Sequence, residues 1–301
     1  MDAAALNEAA ARYVGAWARG DEGAVRGMLA GDVVFRGDGV VWLDDLKGPE
    51  AVIASLRRDH AAEPPSRYEV VAAAADPSER AAFTAVAWER GAGGGAGAGL
   101  TLKELLFDEA GRVRVALLSD PSSCRPADLF AELLPRLQPA SRARAQPADG
   151  ELAAAMRRAL GVWDAAWGSD GPGAERLREV CAENFRVLDG YGLHGSGPSY
   201  GLDAAVEMVS DLRRGSYSAT TQLHCAVDPA TRVGFSRWEG KGVSKTDADS
   251  QTRLGGFDMC LFDSRGRLET LVQFTMKNYP QLAARKRGGR EGGAVGAPAG
   301  A

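Results

Sequence analysis

The chain has 301 residues, of which 45% are hydrophobic and 25% are charged, and its formal net charge is −4. A chain of this length predicts about two domains, and its apolar content suffices for two packed cores. Acidic and basic residues are mixed along the chain, so no broad cationic face is available to bind a nucleic acid. Apolar runs fall short of the roughly 18 to 20 residues that a membrane span needs, so no membrane association is predicted.

Four widely spaced cysteines and a few isolated histidines limit the metal and redox functions that the sequence predicts. The cysteines are Cys124, Cys181, Cys225 and Cys260. Without a CxxC pair they argue against a structural zinc site or a disulfide framework and favour a reduced compartment, so a cytoplasmic location is predicted. His194 and His224 have no neighbouring ligand set, and neither a metal nor another cofactor is predicted.

The strongest feature of the sequence is a hairpin that occurs twice. Residues 107–112 read Phe-Asp-Glu-Ala-Gly-Arg, and residues 262–267 read Phe-Asp-Ser-Arg-Gly-Arg. Each motif lies between two apolar runs with strand character, as in a tight β-hairpin. A motif that recurs after about 150 residues predicts that the chain is a duplication of one unit.

The first copy predicts helices followed by a run of strands. Apolar residues at helical spacing indicate helices over residues 6–19 and 24–29, and a proline near a helix start indicates a third helix over 49–60. A short strand over 33–35 precedes the third helix, and residues 68–118 alternate between strand-like runs and turns.

The second copy repeats these elements in the same order. It predicts helices over 152–168 and 202–213, a first strand over 185–188, and a final hairpin over 254–276. Aromatic residues recur at corresponding places. The pairs, with the first copy named first, are Tyr13 with Trp163, Trp17 with Trp167, and Trp88 with Trp238.

Changes in composition set the predicted boundaries. Copy one spans residues 1–122, and residues 123–149 form a short amphipathic helix and a linker. That helix, over 128–137, is expected to pack on copy one. Copy two spans 150–281, and the basic, Gly- and Ala-rich residues 282–301 are expected to be disordered.

Several motifs together resemble one superfamily. The run Arg-Tyr-Val at 12–14, Gly20-Asp21, the two hairpins and the paired tryptophans are similar to the nuclear-transport-factor-2-like (NTF2-like) superfamily, in particular to its SnoaL-like cyclases and ketosteroid isomerases. The resemblance implies an α+β fold with two cone-shaped domains. Each would be a curved antiparallel sheet wrapped around N-terminal helices, and the two would pack as a pseudo-dimer.

The resemblance to ketosteroid isomerases also implies positions for a catalytic set. These enzymes have a tyrosine on the first helix, an aspartate base at the end of the first strand, and a neutral acid on the strand entering the last hairpin. In copy one these positions fall on Tyr13, Gly37 and Lys103. Copy one therefore keeps only the tyrosine.

Copy two keeps the complementary part of the set. Its three positions fall on Trp163, Asp189 and Asp258. An indole donates a hydrogen bond but cannot act as a phenol acid. Asp189 is the predicted base, and Asp258, between apolar neighbours, is the predicted neutral hydrogen-bond donor. The implied reaction is a cofactor-independent isomerisation or cyclisation next to a carbonyl.

Further residues complete a predicted pocket for an apolar or carbonyl-bearing small molecule. Alternation along the strand places Cys260 and Phe262 on the same face as Asp258. Gln273 on the last strand is positioned to orient a ligand carbonyl. The remaining predicted ligand contacts are aromatic: Trp163, Trp238, Tyr13 and Trp88.

Structural explanations compete with each of these assignments. Asp189-Gly190 is a common turn dipeptide, and Asp258 could face solvent or pair with Arg237 or Arg253. Tryptophans are commonly core residues. A second hypothesis is therefore a non-catalytic interaction scaffold, in which side chains fill the cones and the outer surfaces carry the function.

Overall fold

The computed structural model describes most of both repeats. The described residues are 1–37, 46–62, 65–90, 97–119, 133, 136–137, 150–167, 173–189, 199–215, 217–243 and 251–276. Most of the predicted linker and all of the predicted basic tail lie outside them. The boundaries of the two domains therefore remain predictions.

The described residues of domain one, the first repeat, form three helices and six strands. The first two helices begin at aspartates, since Asp2 and Asp21 accept hydrogen bonds from the backbone N–H groups of Ala5 and Ala24. The elements are α1 Ala3–Ala18, α2 Glu22–Met28, β1 Leu29–Gly37, β2 Leu46–Lys47, α3 Pro49–Ala62, β3 Pro65–Asp76, β4 Ala81–Arg90, β5 Gly97–Phe107 and β6 Val113–Ser119.

Domain two, the second repeat, has the same order of elements. A single 3₁₀ turn, Ala174–Arg176, precedes its second helix. The elements are α4 Gly150–Trp167, α5 Leu177–Val180, β7 Cys181–Asp189, β8 Ser199–Gly201, α6 Leu202–Gly215, β9 Tyr217–Asp228, β10 Val233–Val243, β11 Gln251–Phe262 and β12 Leu268–Met276.

The two sheets have the same strand order. Domain one has β2-β1-β6-β5-β4-β3, and domain two has β8-β7-β12-β11-β10-β9. The predicted α+β class with two repeated sheet domains is confirmed. An antiparallel sheet was predicted for each domain, and the sheets are mixed, since the first long strand pairs in parallel with the last one while the other pairs are antiparallel. The third helix of each repeat connects the two edge strands of its sheet. The strands after it then return one by one across the sheet, so the last strand lies beside the first and runs in the same direction.

The two predicted hairpins have the same local geometry. In each turn the backbone N–H of the glycine donates to the carbonyl of the aspartate, at 3.0 Å for Gly111 to Asp108 and 3.1 Å for Gly266 to Asp263. Both glycines have φ near +75° (75° and 76°), which a side chain would disfavour. The next residue, an arginine, closes an ion pair with the same aspartate at 2.9 Å in both turns. The duplication is therefore preserved in atomic detail.

Each sheet has an inner face, which packs on the helices of its own domain. In domain one the inner core includes Tyr13, Trp17 and Phe35, and Trp17 stacks on Phe35 with ring centroids 5.5 Å apart. In domain two the core includes Trp163 and Phe185, whose centroids are 5.6 Å apart. Helix and sheet thus enclose one apolar interior per repeat.

The outer faces of the two sheets pack on each other. Phe83 of β4 stacks on Phe235 of β10, with centroids 5.8 Å apart and ring planes 5° apart. These two residues occupy the same register position in the two repeats, opposite Glu104 and Met259 respectively. One shared cluster of buried residues extends across both outer faces. The arrangement has the form of the predicted pseudo-dimer.

The described part of the predicted linker helix contacts both domains. Leu133 and Leu137 are buried in the layer between the sheets. Arg136 donates to Thr270 Oγ1 at 2.8 Å and forms an ion pair with Glu269 at 2.9 Å. Packing on copy one was predicted, and Arg136 in addition binds β12 of domain two.

Candidate functional site

The register of domain two places the predicted polar residues in one row across the sheet. Asp258 pairs directly with Ser236 on β10 and with Gln273 on β12, and Gln273 pairs with Asp189 on β7. Directly paired residues project to the same face of a sheet. Ser236, Asp258 and Gln273 therefore lie on the inner face, and the backbone register places Asp189 at the end of the same row. The side chain of Asp189 is outside the described part of the structure.

Asp258 is enclosed in the interior of domain two. Its side chain is 1% exposed, and its Oδ1 accepts a hydrogen bond from the indole Nε1–H of Trp238 at 3.2 Å. The alternative in which Asp258 pairs with Arg237 is wrong, because the adjacent residue Arg237 projects to the outer face and binds Glu104. A solvent-facing Asp258 is also excluded by its burial.

This environment changes the acidity of Asp258. Burial disfavours the carboxylate and raises the pKa of Asp258 to about 7, while hydrogen bonds from the Trp238 and Trp163 indoles act in the opposite direction. A carboxyl with a pKa near 7 exists in both protonation states at neutral pH. It can accept or donate a proton without a large free-energy cost.

A second buried carboxyl was not predicted from the sequence. Asp164 on α4 is 5% exposed, and its Oδ2 accepts a hydrogen bond from Ser236 Oγ at 3.1 Å and another from Gln222 Nε2. Burial, and then the charge of Asp258, raise the pKa of Asp164 well above its ordinary value. The sequence does contain a signal for its burial, because Asp164 lies four residues after Leu160, on the apolar stripe of its helix.

The remaining predicted contacts of domain two lie around these carboxyls. Cys260 and Phe262 are buried within the inner core, as alternation predicted. Gln273 is 4% exposed, and its Oε1 is buried without a hydrogen-bond partner. Trp163 and Trp238 are both buried, at 1% and 7% exposure. The interior therefore combines aromatic walls, two carboxyls and one unsatisfied amide.

Domain one has a different interior at the same positions. Lys103, in the register position of Asp258, pairs with Thr84 and with Leu118. Its Nζ lies 5.3 Å from the ring centroid of Trp17 and 5.0 Å from that of Tyr68, within the range of a cation–π interaction. The row that carries a carboxyl in domain two thus carries a cation in domain one.

The two predicted ligand contacts of domain one are not equivalent to their partners in domain two. Tyr13 is 1% exposed, its hydroxyl has no hydrogen-bond partner, and burial raises its pKa. Trp88 is only partly buried and packs against Gly99, whose missing side chain leaves room for the indole. Trp88 lies four residues after Thr84, whereas Trp238 lies two residues after Ser236, so the two tryptophans differ in register.

His224 takes part in the contact between the domains. Its Nδ1 lies 2.5 Å from Glu104 Oε1, and Arg237 Nη1 lies 3.3 Å from Glu104 Oε2.

Within the described residues, no group of three or more His, Cys, Asp or Glu side chains is arranged to hold a metal ion. None of the described helices combines the length and apolarity needed to cross a membrane.

Comparisons with known proteins give structural similarity only. No family model and no curated protein matches the chain. A protein of unknown function with a cystatin-like fold from Methylobium petroleophilum is 13% identical, with a TM-score of 0.36, and the match covers 39% of this chain and 76% of that one.

Two further solved structures are similar over comparable lengths. A protein from Kribbella flavida is 17% identical, with a TM-score of 0.31, over 37% of this chain and 83% of that one. A hypothetical protein with a ketosteroid isomerase-like fold from Catenulispora acidiphila, solved in complex with trimethylamine, is 13% identical, with a TM-score of 0.34, over 38% of this chain and 87% of that one. Each match has about the length of one repeat.

Proposed function

We propose that the interior of domain two binds an apolar small molecule that carries a carbonyl group, and that Asp258 transfers a proton at the carbon next to that carbonyl. The observation that carries the proposal is the environment of Asp258, which is enclosed by apolar residues and bonded to an indole N–H. A structural carboxyl is normally paired with a cation or kept in water, because burying a charge is costly. A carboxyl held in an apolar interior without either suits proton transfer.

The proposed step needs no cofactor. The Asp258 carboxylate takes a proton from the carbon next to the ligand carbonyl. The electrons of the broken C–H bond form a C=C bond, and the carbonyl oxygen becomes the enolate oxygen. Return of the proton from Asp258 to the same or another carbon restores the carbonyl, which gives exchange or isomerisation respectively. A pKa of about 7 suits both half-steps near neutral pH.

The predicted roles of the two aspartates change in this proposal. The resemblance implied that Asp189 is the base and Asp258 the neutral donor. We assign the base to Asp258, because its pKa near neutrality leaves a substantial fraction ionised at pH 7. Asp189, at the end of the row beside Gln273, is proposed to contact the ligand from the first strand.

Apolar and aromatic residues would hold the ligand around these groups. Trp163, Trp238 and Phe262 supply apolar surface, and Cys260 lies on the same strand face as Asp258. The amide of Gln273 has an unsatisfied oxygen and is proposed to orient a polar group of the ligand. In domain one, Tyr13 and Trp88 are proposed as ligand contacts of that domain's own interior.

A second function is favoured by the tryptophans themselves. Three tryptophans of domain two are each at most 9% exposed: Trp163, Trp167 and Trp238. An interaction scaffold requires an interior that is filled by side chains in this way. In that case the packed outer faces would be the functional surface, and no small molecule would enter domain two.

Proton exchange on a ketone distinguishes the two functions. 2-Tetralone is apolar and exchanges the hydrogens next to its carbonyl for deuterium in D₂O, which proton NMR follows directly. We expect the protein to accelerate this exchange and Asp258→Asn to lose about a hundred-fold or more of the acceleration. Asp263→Asn, in the exposed hairpin turn, is the control for a carboxyl on the same hairpin.

Binding without chemistry provides the second measurement. 2-Naphthol resembles the enol of 2-tetralone, and its fluorescence reports its environment and ionisation. Absence of both 2-naphthol binding and ketone exchange would support the scaffold function. Saturable binding of trimethylammonium, with no response to either carbonyl probe, would show that the carboxyls recognise a cation and would overturn the proposal.

A further inference from the structure

Asp164 is a buried carboxyl that the proposed proton transfer does not use. It lies on the inner stripe of α4, and its contacts come from two strands of the sheet. Ser236 Oγ on β10 donates to Asp164 Oδ2 at 3.1 Å, and Gln222 on β9 donates to the same oxygen. Gln222 Nε2 also lies 3.3 Å from Ser236 Oγ, so the three side chains form a closed set.

Asp164 and Asp258 belong to the same buried group. Ser236, which donates to Asp164, is the direct cross-strand neighbour of Asp258. The charge of Asp258 is one of the causes that raise the pKa of Asp164, and no basic side chain is among the causes for either carboxyl. Two carboxylates in one apolar space repel each other, so at most one of them ionises near neutral pH.

The hydrogen bonds indicate where the proton of Asp164 lies. Ser236 and Gln222 both donate to Oδ2, so this oxygen acts as an acceptor. A neutral carboxylic acid carries one proton, and with Oδ2 occupied by two donors the proton belongs on Oδ1. Among the described residues, no acceptor is bonded to Oδ1. The O–H of Asp164 is therefore available to a ligand.

An independent observation also points to a ligand. Gln273 lies directly beside Asp258 in the row on the inner face. Its side chain is 4% exposed, and its Oε1 has no partner. A buried, unsatisfied amide oxygen is destabilising, and a ligand that donates to it relieves that cost. This oxygen and Oδ1–H of Asp164 are complementary, because one accepts a hydrogen bond and the other donates one.

We infer that Asp164 is a second ligand-binding carboxyl of domain two, whose Oδ1–H donates a hydrogen bond to the oxygen of a keto or enol ligand. The inference rests on the proposed function, and it supplies the neutral donor that Asp258 cannot be while it acts as a base. Ser236 and Gln222 are positioning residues, since they hold Oδ2 and so direct Oδ1. The ligand class is an apolar ketone with one oxygen that gains negative charge during the reaction.

The other titratable groups around Asp164 leave this assignment intact. Burial raises the pKa of the Cys225 and Cys260 thiols, and the charge of Asp164 acts in the same direction. Both thiols therefore remain neutral wherever the two carboxyls titrate. Asp258 is the other carboxyl in this set, and it provides the charge in the ligand-free domain.

Two substitutions at one position test the inference. Asp164→Asn keeps an acceptor oxygen for Ser236 and offers an N–H₂ donor to the ligand, whereas Asp164→Val copies Val14, the residue at the same helix position in domain one. We expect Asp164→Asn to bind 2-naphthol within about three-fold of wild type, and Asp164→Val to bind it about ten- to a hundred-fold more weakly. The acceleration of 2-tetralone exchange should fall by a similar factor in Asp164→Val.

An infrared measurement separates a ligand contact from a structural role. The C=O stretching band of protonated Asp164, taken as the difference between the wild-type and Asp164→Asn spectra, should be present at neutral pH and shift when 2-naphthol binds. Ser236→Ala is the second variant, because it leaves Asp164 in place and removes one of its two donors. It should shift the same band and weaken 2-naphthol binding by about three- to ten-fold.

The outcomes distinguish this inference from the proposed function. If wild type binds 2-naphthol and exchanges 2-tetralone through Asp258, but Asp164→Val does both equally well, Asp164 is not a ligand contact and only the inference fails. If the carboxylic acid band of Asp164 does not shift when 2-naphthol binds, only the inference fails as well. If wild type neither binds nor exchanges the probes, the proposed function and the inference fail together.

Discussion

The two interiors differ at corresponding positions although the backbones around them repeat. In domain one the cross-sheet row reads Thr84, Lys103, Leu118 and Gly37, and in domain two it reads Ser236, Asp258, Gln273 and Asp189. The hydrogen-bonding pattern that sets the row is common to both domains. Backbone geometry was therefore kept while the polar side chains diverged.

The difference is electrostatic. A buried lysine ammonium in domain one is stabilised by two aromatic rings, whereas the carboxyls of domain two have indole and hydroxyl donors but no described cation. Buried charges need such partners, and a carboxyl without a cation ionises less readily. Domain two is consequently the domain whose interior responds to pH, and the experiments below test this contrast.

The largest expected effect is on the pH dependence of stability. Asp258 keeps its proton up to about pH 7 in the folded domain, but an unfolded aspartate loses its proton near pH 4, roughly. The free energy of unfolding should therefore fall as the pH rises from about 4 to about 7, by up to about 4 kcal/mol. Asp258→Asn should make this curve less steep in urea unfolding measured between pH 4 and 6.5, and Asp164, whose pKa burial also raises, should account for the slope that remains.

Titration of His224 must be separated from that of Asp258. The hydrogen bond to Glu104 raises the pKa of His224, so its contribution is complete below about pH 6.5 and is lost as the pH rises through the folded pKa. His224→Gln should remove only this upper part of the curve. A wild-type curve that is flat below pH 6.5 would show that Asp258 is ionised in the folded protein.

The contact between the domains predicts the next largest effect. Glu104 is fully buried and binds Arg237, whose side chain is 7% exposed. Glu104→Gln leaves the guanidinium buried with a single exposed carboxylate, Glu239, and should cost about 3 kcal/mol of unfolding free energy. Glu239→Gln is the matched control, because that partner is 55% exposed. It should cost less than about 1 kcal/mol.

Trp238 allows the acidity of Asp258 to be tuned without removing the carboxyl. Trp238→Phe keeps an aromatic wall but removes the N–H that donates to Asp258 at 3.2 Å. Since this hydrogen bond lowers the pKa, its loss should raise the pKa of Asp258 by up to about one unit. The midpoint of the pH profile for 2-tetralone exchange should move upward by that amount. An unchanged midpoint would mean that another group sets the profile.

The smallest expected effect compares two hydroxyls at the same register position. Thr84 Oγ1 is buried without a partner, whereas Ser236 Oγ donates to Asp164. Thr84→Val removes an unsatisfied hydroxyl at nearly constant volume and should stabilise the protein by about 1 kcal/mol. Ser236→Ala should destabilise it by about 1 kcal/mol. Equal changes of the same sign in thermal unfolding would contradict the contrast between the two rows.

Local patterns predicted much of the molecule. The repeated hairpin, the helix ranges and the position of Asp258 on an inward-facing strand follow from short-range rules of turn chemistry and alternation. Trp88 and Trp238 are each followed by a glutamate, but this shared dipeptide does not determine strand register. Hydrogen bonds between strands set the register. Relative to the matching residues Thr84 and Ser236, Trp88 lies two positions further along its strand than Trp238.

The sequence by itself determined that the chain is a duplicated α+β unit, since periodicity and turn residues act over a few positions and survive divergence of the rest. Only the tertiary structure decided that the charge of Asp258 acts on Asp164, that Glu104 of one repeat binds Arg237 of the other, and that the first strand runs parallel to the last. Each of these depends on contacts between residues far apart in the chain. The free energy of a buried charge depends on what surrounds it in space, which no local pattern records.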